Sequence, residues 1–267
     1  MNLELVKKLR DLTGAAIGDI NKALQEADGD EQKAIDILRL QGEKMAAKKA
    51  ERATKEGYIA SVIDAGRGVL TAVACETDFV SRNPDFKAMV QKVGEAVSAL
   101  NKVIDAETAS QEETVKPLVE DIVAVMGENT VIKDVKEINV VGATVAGYVH
   151  TSGKIGALVA LTGDAGKVAD VAKDVAMHLA AMRPAYVRSS DIPADVIEHE
   201  KEIYKQQLLD EGKPAEMVEK IMEGKLKKFY TEVCLLEQPF IKDDKQSVGA
   251  YITANGCEYK DSVAVAL

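Results

Sequence analysis

An α+β fold is predicted, built from a small N-terminal three-helix module, a duplicated core of two three-stranded halves and an inserted antiparallel helical hairpin. Three observations carry this prediction. Apolar residues recur at helical spacing from residue 1 to about 42. A strand, turn and strand pattern near Gly57 is echoed near Gly147. A long charged helical stretch then interrupts the second copy before its last strand.

In the first segment Leu5, Leu9 and Leu12 recur in one helix, Ile17, Ile20 and Leu24 in a second, and Ala34, Ile35 and Leu38 in a third. Thr13-Gly14 and Asp28-Gly29-Asp30 supply the breaks. So small a bundle cannot enclose a reaction site and is suited to an adaptor. The run Lys44 to Lys55 is rich in cations and alanine, with no broad apolar stripe and no interleaved aromatics. It is expected to be a solvated helical linker, with a nucleic-acid patch as the alternative.

The duplication pairs Gly57-Tyr58-Ile59-Ala60-Ser61 and Gly68-Val69-Leu70-Thr71-Ala72-Val73 with Gly147-Tyr148-Val149-His150-Thr151 and Gly156-Ala157-Leu158-Val159-Ala160-Leu161. Each copy reads as a hairpin turning at its glycines. A helical pattern follows, through Phe86, Met89, Val90 and Val93 in one copy and Val168, Val171, Ala172 and Val175 in the other. Closing strands are expected from Val131 to Val141 and from Glu258 to Val265. Before the first lies a helix with Leu118, Ile122, Val125 and Met126 in period. Before the second, Val196, Ile197, Ile203 and Leu208 form one arm and Val218, Ile221, Met222, Leu226 and Phe229 another, with the bend at Asp210-Glu211-Gly212-Lys213-Pro214. A narrow seam on two arms makes a hairpin that either projects or packs flat. The implied segments are 1–43, 44–56, 57–142, 143–193 with 235–267, and 194–234 for the hairpin.

The chain has 267 residues, a formal net charge of −10 and 46% apolar residues. That balance disfavours a nucleic-acid binder relying on its overall field and points to a protein or small-molecule partner. Met1-Asn2-Leu3-Glu4 has no basic, then apolar, leader pattern, and no apolar run approaches about 18 residues, so a cytoplasmic protein is expected. Cys75, Cys234 and Cys257 are widely spaced and suit reduced thiols; with three scattered histidines, no metal or other cofactor is expected. The nearest approach to a phosphate cradle, Gly163-Asp164-Ala165-Gly166-Lys167-Val168, is too short and lacks the hydroxyl, so direct nucleotide binding is not expected either. His178 fits a hydrogen-bonded structural role.

The stretch that stands apart is Thr77-Asp78-Phe79-Val80. It follows the strand-like run Val69 to Cys75 and precedes a helix announced by Asn83 as cap and Pro84 at the first helical position. In a chain with four Phe and no Trp, a Phe beside Asp on a connection is either a core residue or a partner anchor.

Cys75-Glu76-Thr77-Asp78-Phe79-Val80-Ser81-Arg82-Asn83 resembles the signature of the bacterial elongation factor Ts family, the guanine-nucleotide exchange factors of the GTPase elongation factor Tu. The resemblance extends in order along the chain. It includes Leu12-Thr13-Gly14-Ala15, Asp19, Lys22-Ala23-Leu24 and Leu38-Arg39 in a ubiquitin-associated-type module, then Ala46-Ala47-Lys48-Lys49-Ala50. Further on come His150, Met177-His178, Arg183-Pro184, the helical hairpin and Glu237-Gln238-Pro239-Phe240. The module departs from the family pattern at Leu12, Ala16, Ile17, Gly18, Ile20 and Asn21. By resemblance, Thr77, Asp78, Phe79 and Val80 enter elongation factor Tu and disturb its bound magnesium. Likewise Leu12, Thr13, Gly14, Asp19 and Lys22 dock on its nucleotide-binding domain, and His150 is a further partner contact. A homodimer through the hairpin is left open. So are two rivals: a small-molecule enzyme using His150, His178 or Cys75, and a ribosome- or RNA-associated protein using Lys44 to Lys55.

Overall fold

The computed structural model describes residues 3–212 and 214–267; Met1 and Asn2, and Lys213 of the expected bend, lie outside the described residues. The chain opens with α1 (Leu3–Thr13), α2 (Ile17–Glu26) and α3 (Glu31–Lys49). Asp30 caps α3 by accepting from the Lys33 amide at 2.9 Å, and Gly14, at φ 65°, turns the chain out of α1. Val6, Leu9, Ile20, Ala23, Leu24, Ala34 and Leu38 form the module's core. Leu12 and Ile17, expected to share that apolar repeat, face outward at 62% and 49% exposure. With so few residues, one narrow stripe per helix saturates the available core.

The helix expected to end near residue 42 instead continues to Lys49 as part of α3. The cationic run is therefore not a purely solvated linker. Gly42 approaches Ala124 and the Glu120 carbonyl, and Lys49 Nζ donates to the Gly127 carbonyl. Small residues suffice to seat a helix on another helix where a wide apolar stripe is lacking.

The core follows as β1 (Glu56–Asp64), β2 (Arg67–Cys75), α4 (Asp78–Arg82), α5 (Pro84–Ala99), α6 (Ala106–Gln111), α7 (Lys116–Met126) and β3 (Thr130–Asn139). The second half comprises β4 (Thr144–Val149), β5 (Ile155–Gly163), α8 (Val168–Met182), α9 (Ala194–Asp210) and α10 (Ala215–Val233). It ends with β6 (Pro239–Phe240), β7 (Asp243–Ser247), α11 (Val248–Ala254) and β8 (Cys257–Ala266). The two main sheets are antiparallel, ordered β1-β2-β3 and β4-β5-β8. Their central strands are almost wholly buried, as strands covered on both faces must be. Both carry an irregularity at the same place in the repeat, Ala72/Val73 and Ala160/Leu161.

The sheets pack face to face. Ile59, Leu70, Ala72 and Ile138 meet Val145, Leu158, Ala160 and Val265 in a shared core. The repeated glycines allow the approach: Val145 and Leu158 lie over Gly68, while Ile59 and Leu70 lie over Gly156. On the outer faces, α5 covers the first sheet through Phe86, Val90, Val93 and Val97, and α8 covers the second through Val171, Val175 and Leu179. The α+β class, with helices on one face of each sheet, is as the sequence implied.

The short pair β6-β7 and α11 were not anticipated. A two-residue strand has no period to detect, and Phe240 fixes this segment by stacking on Tyr251 at 4.2 Å. In the hairpin, α9 and α10 pack chiefly on each other, burying Leu208, Val218 and Leu226. Because little apolar surface joins these helices to the sheets, replacing residues 194–228 by a short flexible linker should preserve one cooperative melt of the remainder. Calorimetry that finds only a broad, non-cooperative transition would show the hairpin to be integral.

Candidate functional site

The site is built where β2 ends. Thr77 leaves the strand in extended conformation and its hydroxyl caps α4, accepting from the Val80 amide at 3.5 Å. Ser81 Oγ donates to the Asp78 carbonyl at 3.2 Å. Asn83 closes α4 and opens α5, its side chain accepting from the Asp85 amide at 2.9 Å with Pro84 at the first helical position. The stretch expected as a plain connection is thus a short helix capped at both ends.

Helical geometry sorts its side chains. Val80 turns half-buried into the first core and Ser81 is buried. Phe79 faces the other way and is 85% exposed, so it is not a core residue. Asp78 and Arg82, one turn apart, pair at 3.2 Å on the surface, an interaction of little energetic worth. Beneath them, Glu128 accepts from the Glu76 and Thr77 amides at 3.1 and 3.0 Å and from the Thr77 hydroxyl at 2.6 Å. Glu128 was not singled out in the sequence. Gly127 after a periodic helix announces a stop, but nothing in the sequence indicates partners about fifty residues away.

The exposed face of α4 borders an open cleft with Lys55, Glu56 and Lys87 on one side and Thr151, Ser152 and Lys154 of the β4–β5 turn on the other. Lys154 crosses to pair with Glu56 at 2.5 Å, and the Ile59 amide donates to the Gly153 carbonyl at 2.9 Å, tying the two halves together beside the cleft. His150 lies next to this turn but opens onto a neighbouring groove with Met177, Arg183 and Ile241. It is exposed, and its Nδ1 lies 3.0 Å from the Tyr148 hydroxyl. Leu12, Thr13 and Gly14 line a third cleft against α5 and α7, where Gly14 comes close to Val125. Asp19 and Lys22 are exposed on α2 and are not among the residues lining it. The structure therefore brings Thr77, Asp78, Phe79 and the turn after His150 to one cleft, turns Val80 toward the core, and places the module residues elsewhere.

Two of the three side chains considered for enzymatic chemistry, Cys75 and His178, are poorly disposed for it. Burial, with the nearby negative charges of Glu128 and Glu56, pushes the Cys75 thiol up to about 12, far from a reactive thiolate. His178 is buried with both ring nitrogens engaged: one lies 2.9 Å from Gln238 Oε1, and Nδ1 accepts from the Ile241 amide at 3.1 Å. This pattern places the proton on Nε2. Burial lowers its pKa below the ordinary 6.5, outweighing the Gln238 hydrogen bond. Since the unfolded chain then takes up the proton first, His178 makes stability fall as pH drops below 6.5. An NMR titration should show this imidazole titrating below the ordinary 6.5; titration at or above 6.5 would refute its buried neutral state.

Among the described residues, no group of three or more His, Cys, Asp or Glu could hold a metal ion, and no helix is long and apolar enough to cross a membrane. The family model described as Elongation factor TS matches residues 76–267. Elongation factor Ts of Hydrogenobaculum sp. (strain Y04AAS1) is 44% identical over 267 residues, covering 96% of this chain and 95% of that protein. The proteins of the same name from Deinococcus deserti and Aquifex aeolicus are 46% and 42% identical, covering 94% and 96% of this chain and 94% and 93% of their own lengths. With a family match from Glu76 to the last residue and relatives aligned over nearly the whole chain, this protein belongs to the elongation factor Ts family of translation elongation factors.

Proposed function

We propose that this chain is a cytoplasmic guanine-nucleotide exchange factor that binds the GDP-bound form of elongation factor Tu and promotes GDP release, so that GTP can bind. The observation that carries the proposal is Phe79, a large apolar ring held 85% exposed beside Asp78 on a doubly capped helix. An isolated Phe kept in water by a rigid support is suited to insertion into another protein. The factor supplies binding free energy instead of chemistry. It binds the nucleotide-free partner better than the GDP-bound one, and by linkage GDP loses affinity to the same extent. Magnesium bridges protein groups and phosphate oxygens, so disturbing its ligands loosens the nucleotide. In this scheme Phe79 wedges packed elements apart and Asp78 acts by charge or hydrogen bonding, with Thr77 and Val80 anchoring them.

The separate positions of Leu12, Thr13, Gly14, Asp19 and Lys22, and of His150, support contacts with different parts of the same partner. The segments 1–43, 57–142 and 143–193 with 235–267 would each present one of these surfaces. The chain itself needs no cofactor and binds no nucleotide.

The test is release of fluorescent GDP from elongation factor Tu. Substoichiometric chain should accelerate release catalytically, while titration of GDP into the chain alone gives no heat of binding. Release that stays at its spontaneous rate at every factor concentration would overturn the proposal.

A further inference from the structure

The loop between α7 and β3 joins two regions that the exchange scheme treats as separate contact surfaces. Gly127, at φ 73° and ψ 11°, ends α7 in the left-handed conformation and turns the following residues back across the end of β2. Glu128 then uses both carboxylate oxygens on the two residues that lead into α4. Oε2 accepts from the Glu76 amide at 3.1 Å and the Thr77 amide at 3.0 Å, and Oε1 accepts from Thr77 Oγ1 at 2.6 Å. Asn129, buried at 4% exposure, donates from Nδ2 to the Arg52 carbonyl at 2.7 Å and the Ala50 carbonyl at 3.3 Å. Its amide donates to Glu76 Oε1 at 2.6 Å, and Arg52 reaches the same carboxylate at 3.5 Å. Gly127 itself accepts from Lys49 Nζ, the last residue of α3. Three consecutive residues thus hold the base of the Phe79 helix on one side and the end of the N-terminal module's long helix on the other.

We propose that Glu128 is a positioning residue for the Phe79-bearing helix, and that the Gly127-Glu128-Asn129 joint sets the angle between that helix and the N-terminal module. The proposal rests on the exchange reading above. A helix of one turn has almost no intrinsic stability, because nucleation costs more than so few hydrogen bonds return. Its order must come from outside. The Thr77 cap contributes one weak contact at 3.5 Å, whereas Glu128 contributes three charge-assisted hydrogen bonds to the two residues that precede the first helical turn. Without them Phe79 remains exposed but loses a fixed direction, so the ordering cost falls on the moment of insertion.

The chain contains no Trp, so Phe79→Trp introduces a single fluorescent reporter on α4. In that background Glu128→Ala should lower the indole anisotropy, and in the native background it should speed hydrogen exchange of the Glu76 and Thr77 amides. With Phe79 intact, Glu128→Ala should lower the maximal rate of GDP release on the order of tenfold, the scale on which misplacing a contacting group acts. The factor concentration giving half-maximal release should stay within about twofold, since other surfaces supply that binding. Glu128→Gln should restore both ordering and release. Its carbonyl oxygen can accept the two amides while its NH2 donates to Thr77 Oγ1. A purely structural residue would lower the melting temperature without this split and without rescue. Should Glu128→Ala fold too poorly to assay, Glu128→Asp, whose shorter arm cannot span all three donors, makes the same comparison with Gln.

Unchanged anisotropy and amide protection would overturn the ordering role, and disordered amides with undiminished release would overturn the positioning role. A wild-type chain that never accelerates release sinks the exchange reading and the release half of this proposal together. Amide protection would still decide whether Glu128 orders the helix.

Discussion

Phe79→Ala should leave the melting temperature where it is and lower GDP release about thirtyfold at subsaturating factor. That factor corresponds to a lost anchor of roughly 2 kcal/mol in the release transition state. The ring is 85% exposed, so its removal opens no cavity and uncovers little apolar surface within the chain. The α4 backbone is held by Thr77, Ser81 and the Asn83 amide, with Glu128 fixing Thr77, and none of these hydrogen bonds involves the phenyl ring. Asp78→Ala should act in the same direction, with a magnitude set by how far the interface excludes water. Its partner Arg82 is 79% exposed and is readily solvated when the carboxylate is gone. Melting temperature and release measured on the same Phe79→Ala protein decide the matter. A large drop in the first with unchanged release by the remaining folded protein would show that the ring acts inside its own domain.

Much of this architecture could be read in the sequence because the duplication repeats its own evidence. The echo of Gly68 to Val73 in Gly156 to Leu161 identified the two central strands, and the structure places Gly68 and Gly156 where side chains of the other sheet pass over them. The hairpin was equally plain, since two long arms with one seam each leave few alternatives. Three features were hidden for physical reasons. The later part of α3 packs through Gly42 against Ala124 and through Lys49 on the Gly127 carbonyl, neither of which produces a hydrophobic signal. In the pair β6-β7, the first strand has only two residues and the second, Asp243–Ser247, has no apolar residue to alternate. For Phe79 the sequence left both orientations open, because a connection has no periodicity to say which way a side chain turns; one helical turn with Val80 and Ser81 facing inward settles it.

The counterpart of Phe79→Ala is Phe86→Ala, the same truncation one short segment later, with the opposite expected outcome. Phe86 lies on the first turns of α5 and is fully buried among Val90, Val93, Val73 and Ile132. Truncation should cost about 3 to 5 kcal/mol, the transfer free energy of the ring plus the cavity left in a sheet-and-helix interface that cannot collapse freely. In a chain of this size that is a fall in melting temperature of roughly ten degrees. The surviving folded molecules retain α4, since its ends are held by the Thr77 hydroxyl and the Asn83 amide, with Glu128 holding Thr77 in turn. Their specific activity in GDP release should therefore stay close to wild type below the transition. Two phenylalanines on either side of one cap would then separate cleanly, Phe79 acting on the partner and Phe86 on the fold. If Phe86→Ala instead abolished release while the protein remained folded, the packing of α5 would have to transmit to α4, and the independence of the presented helix from the core beneath it would be lost.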